Sequence, residues 1–310
     1  MDYALGRGIV QTITYYDVMD YPMTVFELWR HLIVKDANMA WSLQDVRSCL
    51  QSCEMREFVG QKNGFYFLMG REYLVLERRK RQRISLLKIQ RLKRAVCFLR
   101  AVPFVRGVGI TGRLAFCNAQ ESSDLDVLVI LGAKHIWIGR ILVTMYIQMI
   151  GMRRYGDKST NRICLNYYVS DDSLTVPTQD LYGAHEYSFI VPLIGAEVMK
   201  DFTKANTWIR QYKPHYMSEI SASTWTYVDH SFLGYVQKIG ECVFGFSFLE
   251  RHARKFQYAK IMNNPLTKNP GAMIIANDKH LVFLPKPHGP HVFEEYQRRL
   301  MALELSWPRS

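Results

Sequence analysis

The sequence predicts an α+β protein. A mixed sheet with flanking helices occupies the middle of the chain, a small helical module with a hairpin precedes it, and a mostly helical region with a second hairpin follows. Three observations predict this. Two apolar, aliphatic-rich runs, residues 105–111 and 125–131, stand on either side of a Gly112 turn and read as buried strands joined by a short helix and a polar loop. Asn63-Gly64 sits between two short apolar runs, a strong hairpin signal, and Asn277-Asp278 repeats that pattern near the C-terminus. Between these landmarks the apolar residues recur at helical spacing. The expected domains are residues 1–70, 71–214 and 215–310.

Taken in order, residues 8–20 (GIVQTITYYDVMD) form an amphipathic helix ending near Tyr21-Pro22. Thr24 is placed to cap the next helix, which runs to about Ile33, and Glu27 three residues on completes a capping box. Ser42 and Asp45 repeat that device at the head of a third helix. Three helices and then a hairpin is the order of a winged helix, with the third helix as recognition element and the hairpin as wing. Arg47 and Arg56 are offset there by Asp45 and Glu54, a thin charge for groove binding. The module reads equally as a nucleic-acid contact and as a protein-interaction surface.

Residues 71–100 read as one long, strongly basic helix with a buried stripe at Leu76, Ile84, Leu87, Leu92, Val96 and Leu99. Its cations, with Arg78, Arg79, Lys80, Arg81 and Arg83 in the densest run, are expected to contact a phosphate backbone. The net charge of +12 agrees, since such a field attracts nucleic acid, nucleotides or an anionic surface without choosing among them.

Gly112 closes the first central strand. Asp124 and Asp126 flank Leu125 at the start of the second, so strand alternation turns both carboxylates to one face. Two neighbouring carboxylates at a buried strand end repel each other, and a divalent cation between them relieves that cost. A helix over residues 135–153 then crosses back to a third strand, residues 162–169, whose inward polar residue is Asn166.

The run from Gly112-Arg113 through Ser123 to Asp124-Leu125-Asp126, with its flanking strands, resembles the nucleotidyltransferase superfamily of DNA polymerase β, the CCA-adding enzymes and the antibiotic nucleotidyltransferases. The resemblance covers residues 100–170, about a quarter of the chain. It implies Mg²⁺ (or Mn²⁺) on Asp124 and Asp126, and a nucleoside triphosphate against Gly112, Arg113 and Ser123. Two positions depart from the family pattern. Arg113 stands where a small hydroxyl residue is usual, and either grips phosphate or fills the pocket. Asn166 stands where the family has a third carboxylate, and an amide cannot take a proton from an attacking hydroxyl. Asp171 and Asp172 substitute only if their loop folds back.

The rest of the chain adds less. Residues 180–212 look helical with Pro192 breaking them, and His185 and Glu186 are candidates to line the cleft. Residues 226–250 read as an apolar helix, residues 271–285 as a hairpin, and residues 292–305 as the last helix. The segments 135–152 and 232–249 approach membrane length, but Arg140, Gln148, Lys238 and Glu241 interrupt them, so buried helices are expected and no transmembrane segment. The N-terminus lacks a signal-peptide pattern and the six cysteines do not cluster, which predicts reduced thiols in the cytoplasm.

Two functions follow. One is a metal-dependent nucleotidyltransferase acting on a hydroxyl acceptor, with RNA or DNA favoured by the charge. The other is a degenerate scaffold of the same fold that binds nucleotide or nucleic acid, or serves as a subunit of a larger complex, with a protein partner on the winged-helix module.

Overall fold

The structure, a computed structural model, describes residues 3–34, 41–156, 158–217, 225–227 and 231–304. The N-terminal module comprises helix α1 (Tyr3–Asp17), the short strand β1 (Met23–Thr24), helices α2 (Val25–Arg30) and α3 (Leu43–Leu50), and a hairpin of β2 (Val59–Lys62) and β3 (Phe65–Leu68). Both predicted capping boxes form. The Thr24 hydroxyl accepts the Glu27 N–H at 3.2 Å while the Glu27 carboxylate accepts the Thr24 N–H at 2.8 Å, and Ser42 and Asp45 do the same. Asn63 and Gly64 both take positive φ, as the tight hairpin turn requires. The strands pair antiparallel in the order β1-β3-β2.

The basic segment folds as α4 (Leu74–Val96), tightening into a 3-10 turn over Cys97–Ala101. The predicted stripe is buried at Leu92, Val96 and Leu99 but not in the first half of the helix. Leu76 and Leu87 are 68% and 67% exposed, while Arg78, Arg81 and Lys88 are buried. The cause is the acidity of the N-terminal module. Arg78 donates to Tyr21 Oη at 2.6 Å and Glu27 Oε1 at 3.0 Å, and its guanidinium lies 4.0 Å from the Tyr21 ring centre. Arg81 reaches Asp20, and Arg71 just before the helix pairs with Asp17 and Asp20. Arg78 and Arg81 therefore leave the predicted phosphate-binding surface and join two parts of the protein. Arg79, Lys80 and Arg83 stay exposed. Arg78→Ala should cost about 3 kcal/mol by stranding Glu27 in a half-buried pair, whereas Arg79→Ala should stay within about 0.5 kcal/mol; urea denaturation of both variants checks this.

The central sheet has six strands in the order β7-β4-β5-β6-β9-β8. Strand β4 (Val105–Ile110) leads through α5 (Gly112–Ala115) into antiparallel β5 (Leu125–Leu131). Helix α6 (Ile136–Met149) crosses over to β6 (Ile163–Ser170), which runs parallel to β5. Then come α7 (Leu181–Ser188), β7 (Val191–Ile194) and α8 (Ala196–Ala205). The region read as helical with a break at Pro192 thus contains a strand, and Pro192 is tolerated because β7 lies at the sheet edge.

Helices α9 (Ser231–Phe244) and α10 (Ser247–Met262) follow. The predicted hairpin forms as β8 (Met273–Ala276) and β9 (His280–Leu284), and α11 (His288–Glu304) ends the described chain. Strand β9 pairs with β6, so the hairpin beyond Pro214 extends the central sheet. Parts of the predicted 226–250 and 292–305 helices, residues 228–230 and Leu305, lie outside the described residues.

Each face of the sheet carries its own core. Val127, Val129 and Leu131 pack with Ile89, Leu92 and Val96 of α4, Trp137, Val143 and Ile147 of α6, and Ala253 and Ile261 of α10. Leu128 and Ile130 turn to the opposite face, against Ala184 of α7 and Met199 and Phe202 of α8. Gly107 and Gly109 let α8 settle there: a Cβ on Gly109 would come within 2.6 Å of the Met199 methyl. Glu250 of α10 binds the free N–H groups of Trp137 and Ile138 at 2.9 Å each, capping α6 from another helix.

The segment 232–249, predicted to be a buried helix, is divided at Gly245 between α9 and α10. Phe232, Tyr235, Ile239, Val243 and Phe246 are exposed at helical spacing. The periodicity was that of an amphipathic helix, but it does not say what the stripe faces. No described helix is long and apolar enough to cross a membrane.

Candidate active site

Strand alternation places Asp124 and Asp126 on the same sheet face as Leu128 and Ile130, the face covered by α7 and α8. Register continues the site onto β6. Asp126 pairs with Cys164, and a bulge between there and the Leu128–Tyr167 pair adds one residue to β6. Cys164 and Asn166, two residues apart on β6, both face Asp126. The Asn166 amide donates to Asp126 Oδ1 at 3.2 Å, as its predicted inward position requires. Alternation alone puts Cys164 on the face of Asn166, and the bulge beyond it turns Tyr167 to that face as well.

Gly112 has φ of +62°, and a Cβ there would stand 2.8 Å from Asp126 Oδ2. No side chain fits without moving that carboxylate, so the glycine serves both the turn and the space beside Asp126. Gly112→Ala should cost about 1 kcal/mol in thermal unfolding and displace Asp126 as well. A change in stability with no change in whatever binds at Asp126 would contradict the second part.

The loop carrying Asp124 is held from α4. Lys88 Nζ donates to the carbonyls of Glu121 and Ser123 at 2.9 and 2.7 Å and to Asn161 Oδ1 at 2.7 Å. Ser123, expected to touch nucleotide, accepts the Gln120 N–H on its hydroxyl and closes the loop. Arg154 Nη1 lies 2.5 Å from Asp124 Oδ2 and 3.5 Å from Cys164 Sγ. Arg154 lies past the end of α6 and is committed to the aspartate. Arg113 is exposed and makes no ion pair with a described residue, so it does not fill a buried pocket.

Asp171 and Asp172 are excluded as substitute acids. They follow β6 at the end that pairs with Leu131, about 16 Å along the strand from Asp126. Asp171 accepts the Ala133 N–H and Asp172 binds Lys279. An acid arrives from α7 instead. Glu186 is half-buried, within electrostatic reach of Asp126, on a helix that packs over the same sheet face. Its neighbour His185 is buried among Tyr16, Phe116 and Phe189 and is a core residue. Tyr182, also in electrostatic reach of Asp126, rests against Gly289 at the start of α11, and His288 beside it senses Arg113, Asp124 and Arg154.

The electrostatics of the cluster are strained. Burial, then the adjacent Asp124 carboxylate, push Asp126 up to about 7. Burial, then Asp126 and Asp180, push Glu186 up to about 8. Burial and both aspartates push the Cys164 thiol up to about 12, so it stays protonated. Donor atoms of Asp124, Asp126 and Cys164 lie within 4.8 Å of one another. Two crowded carboxylates with an amide alongside suit a hard divalent cation, which would relieve the repulsion that raises Asp126; the protonated thiol adds little to such a site.

Comparison of the chain with protein-family models, with curated proteins and with solved structures finds no match in any of the three.

Proposed function

We propose that this protein is a nucleotidyltransferase that moves a nucleotide from a nucleoside triphosphate to the hydroxyl of a polyanionic acceptor, RNA or DNA. The observation that carries the reading is the Asp124–Asp126 pair beside a Gly112 that has no room for a side chain, on a β4-α5-β5-α6-β6 arrangement in which β5 is antiparallel to β4 and parallel to β6. Asp124 and Asp126 would hold Mg²⁺ or Mn²⁺, with Asn166 offering a neutral oxygen if its amide turns over. When bound, the ion neutralises triphosphate charge and favours ionisation of the attacking hydroxyl.

The residues then divide the work. Arg113, free and exposed at the mouth, meets the triphosphate; Arg154 releases Asp124 and meets the same charge. The acceptor oxygen bonds to the α-phosphorus, the bond to the bridging oxygen breaks, and pyrophosphate leaves. Glu186 takes the acceptor proton, because its raised affinity places it close to neutral pH as a base, the role that Asn166 cannot fill. The three-helix module with its β1-β3-β2 sheet supports a winged helix, with exposed Arg47 and Lys62 as contacts to acceptor or to a protein partner. Exposed Arg79, Lys80 and Arg83 extend that surface.

Glu186→Gln should lower the transfer rate about 10²-fold or more and remove the rise in rate with pH near 8. An unchanged pH–rate profile would show that another group takes the proton.

A second reading rests on one observation. The Arg154 guanidinium on Asp124 already neutralises part of the charge that a metal would meet. In this reading the site binds nucleotide or nucleic acid without chemistry. Transfer of label from an α-labelled triphosphate, dependent on added Mg²⁺ or Mn²⁺, decides between the two.

A further inference from the structure

A groove of about 570 Å³ lies between the second half of α4 and the end of α6, lined by Leu87, Arg91, Arg94, Phe98, Tyr146 and Ile150 among others. Neither arginine makes an ion pair with a described residue, and both are exposed. Phe98 is 59% exposed, Leu87 67% and Ile150 39%. Tyr146 donates its hydroxyl to the Ala95 carbonyl at 2.8 Å, which fixes its ring. Met152, also in the lining, accepts the Ile163 N–H on its backbone carbonyl at 2.7 Å and stands two residues before Arg154, the partner of Asp124. The groove lies on the α4–α6 side of the sheet and Asp126 on the other, and Met152 links the groove wall to the partner of Asp124 across two residues of chain.

The exposed stripe of α4 has an internal repeat. Leu76, Lys80 and Arg83 recur eleven residues later as Leu87, Arg91 and Arg94, and Phe98 follows Leu87 at the same interval. Eleven residues are about three turns of α-helix, so from Leu76 to Arg94 apolar and cationic side chains alternate along one face at about 16 Å per repeat, and Phe98 stands in the 3-10 turn just beyond. A solvated charged face has no need for exposed leucine and phenylalanine at fixed intervals. An apolar bed with cations at its rim matches a ligand that has flat apolar faces and regularly spaced anions.

We infer that this groove binds single-stranded nucleic acid, with bases on Phe98 and Tyr146 and phosphates on Arg91 and Arg94, and that it leads the acceptor strand toward Asp124. A duplex hides its base faces, so the site selects single strands. The binding claim stands on the groove; only its role as acceptor track rests on the transferase reading.

The test is fluorescence anisotropy of labelled oligo(dT), the matching duplex, inorganic polyphosphate and an acidic amphipathic peptide, with metal-free protein over a range of salt. Oligo(dT) should bind more tightly than the duplex or polyphosphate. Phe98→Ala should weaken it about tenfold with the salt slope unchanged, and Phe98→Trp should retain binding. Arg91→Ala with Arg94→Ala should reduce the slope by about 1.4, roughly 0.7 for each phosphate lost. The inference is overturned if Phe98→Ala has no effect, if polyphosphate binds as well as oligo(dT), or if the peptide binds in preference, which would make the groove a protein-docking site. Repeating the titration with Asp124→Ala/Asp126→Ala separates the two proposals. Strand binding without transfer in the native protein removes the transferase alone, and transfer with Phe98-independent binding removes the groove alone.

Discussion

Replacing Asp124 and Asp126 together by alanine is expected to lower nucleotide transfer by at least about 10³-fold while nucleic-acid binding is kept. The two carboxylates are the anionic ligands of the proposed ion, and neither Cys164, held protonated, nor Asn166, a neutral amide, supplies charge in their place. The proposed acceptor surface is elsewhere, on the exposed side of α4, so its affinity should not pass through the aspartates. Loss of transfer and of binding in equal measure would mean that the double variant damages the fold; a thermal melt run beside the assay detects that. Transfer unaffected by the double variant would remove the site from the mechanism.

Asp126→Asn is expected to stabilise the metal-free protein. The native carboxyl titrates at about 7 against an ordinary value of 3.8. The native state therefore holds its proton more tightly than the unfolded chain does, and stability falls as pH rises through that interval. Above pH 7 the whole cost of the buried, repelled charge remains. The asparagine removes it, with a gain on the order of 2 kcal/mol at pH 8 that shrinks toward zero below about pH 4. Denaturant unfolding of both proteins at the two pH values measures this. A gain that is the same at both would assign the effect to packing, and a loss at pH 8 would mean that the carboxylate is stabilised in ways the geometry does not contain. Added Mg²⁺ should reverse the order, because it stabilises the carboxylate and not the amide.

What the sequence made legible was local chemistry. The Thr24–Glu27 and Ser42–Asp45 boxes, the Asn63-Gly64 turn and the second hairpin depend on neighbours a few residues apart, and they stand where they were expected. So do Asp124 and Asp126 on one strand face, and Asn166 turned toward them.

Contacts across long separations were not legible. Nothing near Arg78 and Arg81 in sequence announces that Glu27 and Asp20 will take them, so a charge run looked like a surface. Leu76 and Leu87 had helical spacing but sit on the wet side, because the buried face was chosen by those ion pairs. Cys164 shares the face of Asn166 by alternation, but the β5–β6 register that sets it opposite Asp126 is not written in either strand alone. Glu186 was a candidate to line the cleft, paired there with His185; the fold sends His185 into the core and leaves Glu186 near Asp126, since α7 reaches that face only once β7 adds to the sheet edge.

The most direct measurement is a comparison of labels. The native protein is incubated with single-stranded oligonucleotide, Mg²⁺ or Mn²⁺, and each nucleoside triphosphate labelled in turn at the α- or the γ-phosphate. Label from the α-position should enter the oligonucleotide, the γ-label should leave as pyrophosphate, and chelation of the metal should stop both. Incorporation of γ-label alone, or no incorporation from any triphosphate with either ion while the oligonucleotide still binds, would contradict the assignment and leave the site as one that holds its ligand without transferring it.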